Sequence, residues 1–102
     1  MDQQPKRYDL QDLLETITPK VYYQPSETTK LVYPCITYGL EGELPDFADN
    51  IRYISSDRYS ITVIDRNPDS DLWRKVLELP HTVLETSMVI DQLYHWNITL
   101  YY

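Results

Sequence analysis

The last ten residues, 93–102 with the sequence LYHWNITLYY, alternate between large apolar and more polar side chains. Successive side chains of a β-strand point to opposite faces, so this pattern predicts a strand with one buried face. That face would carry Tyr94, Trp96, Ile98, Leu100 and Tyr102. A chain of 102 residues forms one domain with a thin core, and we expect this strand to belong to the core.

The rest of the chain predicts two helices and further strands. Leu10, Leu13, Leu14 and Ile17 have helical spacing, with Asp9 as the expected N-cap and residues 1–7 expected to be flexible. Short strands are predicted at 20–25, 31–38, 58–65 and 82–90, with a turn at Asp91–Gln92 before the last strand. The second helix is predicted at 71–79.

Two features bear on the layout of the sheet. Pro34 lies inside the second predicted strand, which favours an edge strand or a bulge because proline donates no ladder hydrogen bond. Residues 39–50, GLEGELPDFADN, hold both glycines and four acids, and predict a long loop or an extended hairpin arm. The predicted fold class is α+β, a single domain with a mostly antiparallel sheet and two helices on one face.

The stretch DRNPDSD, residues 65–71, places oxygen-bearing side chains at alternate positions, as a calcium-binding EF-hand loop does. Such a loop needs Gly at its sixth position and Glu at its twelfth, where this chain has Ser70 and Val76. Asn67 to Asp69 is instead typical of a turn, with Ser70 or Asp69 expected to cap the next helix. We expect no metal site and no cofactor.

Other candidates for chemistry are isolated. His81 and His95 lack metal-ligand spacing, and Cys35 is expected to be a buried, inert thiol. Asp46 and Asp49 are better interpreted as a solvated acidic face than as a catalytic pair. We therefore expect no enzyme activity.

The net charge is −7, which argues against binding to nucleic acid or to anionic membranes, since both need Lys and Arg. The negative charge suits binding to a basic partner, or a surface along which a polyanion passes without being bound. A single cysteine fits a reducing compartment, and the absence of a signal-like apolar N-terminus or a spanning segment predicts a protein made in the cytoplasm.

Arginines flank the central elements, while acids crowd the loop, and this separation suggests a contact between copies. In a ring, the basic edge of one subunit would meet the acidic loop of the next. The residues expected at a subunit or tube interface are Glu41, Glu43, Leu44, Asp46, Phe47, Asp49, Asn50, Arg52, Arg58 and Arg66.

The order of these segments resembles the small tail-terminator or tail-completion proteins of long-tailed bacteriophages. The resemblance runs from Val21 to Tyr102 and rests on YPCI at 33–36, FADN at 47–50 and the stretch from Tyr59 to Asp69 that enters the helix. It implies a sheet with packed helices, assembled as a hexameric ring that caps the tail tube and joins the head. Tail tube and head-tail connector proteins would be the partners, DNA would pass through the ring, and the protein would reside in the virion.

Two other functions fit the same residues. One is a different neck or connector protein of similar size. The other is a small acidic inhibitor that mimics DNA charge, although here the acids are interspersed with arginines.

The apolar residues of the 39–50 segment give the first testable prediction. If Leu44 and Phe47 anchor an intersubunit contact, replacing both with Ala should abolish assembly and leave the circular dichroism spectrum and melting curve of the subunit unchanged. Unfolding of the double variant would place the pair in the subunit core. Unimpaired assembly would show that the segment takes no part in the contact between subunits.

Overall fold

In the computed structural model, the described residues are 6–43 and 57–102, and they form one two-layer α+β domain. The elements in chain order are α1 (Lys6–Glu15), β1 (Val21–Tyr23), β2 (Cys35–Glu43), β3 (Asp57–Asp65), α2 (Leu72–Leu77), β4 (Thr82–Ile90) and β5 (Leu93–Tyr101). The five strands form a single sheet in the order β1-β2-β3-β5-β4. β1 runs parallel to β2, and the other neighbours are antiparallel.

The core lies on one face of the sheet, where side chains in register form rows across three strands. One row is Ile36, Val63 and Trp96, and the next is Tyr38, Ile61 and Ile98. The helices contribute buried Leu10, Leu14 and Val76 to the same cluster, so both helices cover the same face. The predicted fold class is confirmed, as is the buried face of the last strand.

Helix α1 begins earlier than the sequence predicts. Lys6 and Arg7 are already helical and Asp9 lies in the first turn, so the prediction of Asp9 as N-cap and of a flexible segment reaching residue 7 is wrong at these positions. The reason is a tertiary contact. The Arg7 guanidinium lies 4.3 Å from the centre of the Tyr23 ring and Nη1 donates to the Tyr38 hydroxyl at 3.4 Å, which holds the first turn against the sheet.

The expectation that Pro34 marks an edge strand or a bulge is wrong. β2 begins at Cys35, after a cis Tyr33–Pro34 peptide, and it lies between β1 and β3. Because Pro34 precedes the strand, its missing N–H removes no ladder bond. The edge strands are β1 and β4.

The predicted segment 39–50 divides into two parts. Residues 39–43 continue β2 and pair with β3 as far as Glu43 and Asp57, so they form an extended hairpin and not a loop. Gly39 serves packing here, because a Cβ at that position would lie 3.1 Å from Cγ of Gln24. A register shift between Leu40 and Gly42 marks a bulge. Residues 44–50 lie outside the described part of the chain.

The packing of β5 generates a stability prediction. Trp96 is buried and stacks on Trp73 at a centroid distance of 6.0 Å, so Trp96→Ala removes a large side chain from the centre of the core. We expect a loss of about 3–5 kcal/mol in the free energy of unfolding, measured as a lower denaturant midpoint.

The matched control is Thr99→Ala on the other face of the same strand, expected to shift the unfolding free energy by less than about 1 kcal/mol. Equal midpoints for the two variants would refute the assignment of the core to the Trp96 face.

Candidate interaction surface

Strand β4 is joined to β5 by a two-residue turn and leaves its other edge free within the described residues. Asp91 has φ of 53° and Gln92 has φ of 65°, the left-handed conformations that a tight hairpin turn of this handedness needs. The turn confirms the prediction at 91–92 and fixes the register from Ile90 opposite Leu93. A free edge exposes a row of backbone N–H and C=O groups that another strand is able to pair with.

β4 is also the most apolar exposed surface of the described chain. Eight large apolar side chains are exposed among the described residues, and five of them belong to this one strand. The five are Val83, Leu84, Met88, Val89 and Ile90, with Val89 the most exposed at 57%. Contiguous exposed apolar side chains of this kind mark interaction sites more often than singly scattered ones.

The exposed apolar residues of β4 lie on both faces of the sheet. Leu84 and Val89 are opposite Ile98 and Tyr94, on the face that carries the core. Val83 and Met88 are opposite Thr99 and His95, on the face that no helix of the described chain covers. β4 therefore exposes apolar side chains on both faces of the sheet at this edge.

A bulge interrupts β4 between Leu84 and Thr86, at the position of Glu85. Glu85 is the only charged residue of the strand. A bulge and a charge on an edge strand both discourage unselective pairing with other edges. The four residues that follow the bulge before Ile90 are uncharged and regular in register, so pairing is most favourable there.

Two adjoining clefts run along the core side of β4. One, of about 450 Å³, is lined by Arg66, Pro68, Val89, Asp91, Gln92, Leu93 and Tyr94. The other, of about 280 Å³, shares Pro68, Val89 and Tyr94 with the first. The two clefts form a groove between the 65–71 turn and the β4–β5 hairpin, with Arg66 as its cation. The Arg66 guanidinium also lies 5.5 Å from the centre of the Tyr33 ring.

The 65–71 turn itself is built by side-chain oxygens that accept backbone N–H groups. Asp65 Oδ1 accepts from Asn67 N at 3.1 Å, and Asn67 Oδ1 accepts from Asp69 N at 2.9 Å. These hydrogen bonds confirm the turn interpretation of the alternating oxygens. Within residues 6–43 and 57–102, no group of three His, Cys, Asp or Glu side chains is placed to hold a metal ion.

The start of α2 differs in detail from its prediction. Asp71 occupies the N-cap position without a side-chain capping bond, and Ser70 Oγ accepts from Leu72 N at 3.3 Å. Asp69 therefore does not cap the helix.

Among the described residues that were predicted for a subunit interface, Arg66 lies apart from Glu41 and Arg58. Glu41 and Arg58 meet at the end of the β2–β3 ladder, with Oε1 and Nε 3.6 Å apart, so in this chain the pair is intramolecular. Both side chains are more than two-fifths exposed, and such pairs contribute little to stability. Arg66 follows the opposite end of β3. It is eight residues from Arg58, which corresponds to about 26 Å along a strand.

Glu43 lies in β2 opposite Asp57. Leu44, Asp46, Phe47, Asp49, Asn50 and Arg52 lie outside the described residues.

The isolated candidates for chemistry are placed as follows. Cys35 is fully buried, as predicted. Burial, followed by the nearby Asp65 carboxylate, raises the pKa of the thiol to about 11. His81 is exposed in a turn, and His95 is partly buried with Nδ1 3.1 Å from the Leu93 carbonyl oxygen.

Comparison of the chain with protein-family models, with curated proteins and with solved structures found no match. The fold and the β4 edge therefore rest on the described geometry, and the resemblance to tail terminators stays a prediction.

None of the helices in the described ranges has the length and apolar character needed to cross a bilayer.

Sequence reasoning identified β4 as a strand and missed it as an interaction surface. The available signal was the run Met88, Val89 and Ile90, three consecutive apolar residues in a strand. Consecutive residues of a strand face opposite sides, so such a run places apolar groups on both faces and requires cover on both.

The pKa of Cys35 generates a prediction of thiol reactivity. Raising it from 9.0 to about 11 lowers the thiolate fraction at pH 8 by about 100-fold, and the folded protein adds steric protection. We expect a thiol-specific disulfide reagent to react at least about 100-fold more slowly with the native than with the denatured protein at pH 8. Similar rates in both states would contradict the burial of Cys35.

Proposed function

We propose that this protein is a structural subunit that assembles through its sheet edge into a ring, of the tail-terminator type that the sequence resembles. In that role it would cap a phage tail tube, meet the head-tail connector, and reside in the virion. The observation that carries the proposal is the exposed apolar edge of β4, with five large apolar side chains on one strand.

An edge of this kind is costly for a subunit that stays alone. A fully exposed Val, Leu or Ile side chain forgoes about 1.5–3 kcal/mol relative to a buried one, so covering part of the β4 edge is a substantial driving force. The net charge of −7 opposes unselective aggregation. A chain with both properties is suited to a specific contact that covers one strand.

The acidic character supports the same role in a second way. A ring around a passage for DNA must not hold the DNA, and an excess of acids over Lys and Arg lowers the affinity for phosphates.

Ring formation is tested on the purified full chain. At about 100 μM, far above a micromolar dissociation constant, light scattering should give a defined oligomer and negative-stain images should show closed rings. Val89→Lys, which places a charge on the regular part of the β4 edge, should shift the protein to monomers with an unchanged melting curve.

Ser60→Lys is the control, because this partly exposed position lies on the outer face of the central strand β3, away from both edges of the sheet. It should assemble like the wild type. A wild-type protein that stays monomeric at this concentration would argue against a self-assembling ring and favour the alternative of a monomeric acidic inhibitor.

A further inference from the structure

We infer that copies of this chain associate head to tail, with the β4 edge of one copy seated on the β1 side of the next. The inference rests on the proposed ring and names its contact surfaces. The occupant of the β4 edge is thus a second copy of this chain, contributed by a surface at the opposite end of the sheet order.

The charge of the β4 edge is entirely acidic. From Thr82 to Gln92 the chain contains Glu85 and Asp91 and neither Lys nor Arg. Both acids are exposed. A cation near this edge is Arg66 of the 65–71 turn, which lines the same cleft as Val89 and Asp91 and also faces the Tyr33 ring.

The β1 side carries the complementary charge. Lys20 directly precedes β1 and Lys30 lies in the segment that follows it, so two of the four lysines of the chain flank this edge. Both are exposed. Val32 N donates to the Tyr22 hydroxyl at 3.2 Å, which holds this segment beside β1, and the Val32 side chain adds an exposed apolar contact.

The acids on the β1 side are Glu15 and Glu27. Glu15 accepts a hydrogen bond from Gln11 at 3.0 Å, and Gln11 also donates to the Val21 carbonyl at 3.3 Å. Glu27 lies in the 26–29 turn, which is closed by its Ser and Thr hydroxyls. The β1 side thus carries both signs of charge, and Lys20, which directly precedes the strand, is a cation that the acidic, apolar β4 edge lacks.

A symmetric contact between two β4 edges is less favourable. It would bring Glu85 and Asp91 of both copies into one interface with no Lys or Arg on either strand, and like charges across an interface are repulsive. Pairing β4 with β1 uses two different surfaces. A contact of that type repeats from copy to copy and closes into a ring when the rotation allows it.

A pair of charge variants tests this contact. The first, Lys20→Glu with Lys30→Glu, makes the β1 side acidic. The second, Glu85→Lys with Ser87→Lys, makes the β4 edge basic at two exposed positions. Each variant alone then presents like charges across the contact, and we expect its apparent dissociation constant for assembly to rise at least about tenfold.

An equimolar mixture of the two variants should assemble again. Each copy in the mixture then meets a neighbour of opposite charge at both edges, so the expected product alternates the variants and contains an even number of subunits. Melting curves of the separate variants establish that each is folded, and Ser60→Lys, on the outer face of the central strand β3, serves as the charge control.

The outcomes separate the two proposals. If the wild type forms rings and either variant assembles normally, or if the mixture fails to assemble, the head-to-tail contact is refuted and the ring stands. Assembly of the Lys20 and Lys30 variant into dimers alone would point to a β4–β4 contact instead. A wild type that is monomeric at about 100 μM would overturn the contact together with the ring.

Discussion

Burial of one apolar sheet face under two short helices is the constraint on which this fold depends. The rows that join β2, β3 and β5 supply most of the core, and Leu10, Leu14 and Val76 close it from above. α1 and α2 have ten and six residues, about 15 Å and 9 Å of helix, whereas five strands span about 19 Å between the outer two. Helices of this size cover the central strands, and the apolar residues of β4 are left exposed.

The core could be predicted from the sequence because its signals are local. Trp96, Ile98 and Leu100 alternate along one strand, and Leu10 and Leu14 have helical spacing, so each pattern identifies its own buried side. The start of α1 could not be predicted, because the Arg7 contact with Tyr23 joins residues that only the folded chain brings together. Pro34 predicted an edge strand or a bulge, and Gly39 the start of a long loop or hairpin arm. In the structure Pro34 precedes β2, and Gly39 lies within β2, where its missing side chain makes room for Gln24.

The candidate interaction surface was also hard to predict, because it depends on which strands become neighbours in the folded chain. An edge is a property of strand order, and the order β1-β2-β3-β5-β4 places the last-but-one strand of the chain at the margin, with β5 inside. The predicted pairing of acids with arginines between copies is met in part within the chain, by Glu41 and Arg58. The strand order leaves Lys20 and Lys30 at one margin together with Glu15 and Glu27, and it leaves Glu85 and Asp91 at the other.

Hydrogen exchange at two protein concentrations tests the central claim, that self-association covers the β4 edge, most directly. Amides of β4 that do not bond to β5 exchange freely in a lone subunit and slowly once a neighbour covers them. Between about 1 μM and 100 μM, we predict added protection in peptides from residues 82–90 and 20–32, and none in α1. Protection that is equal at both concentrations, or that grows only on other elements, would contradict the account.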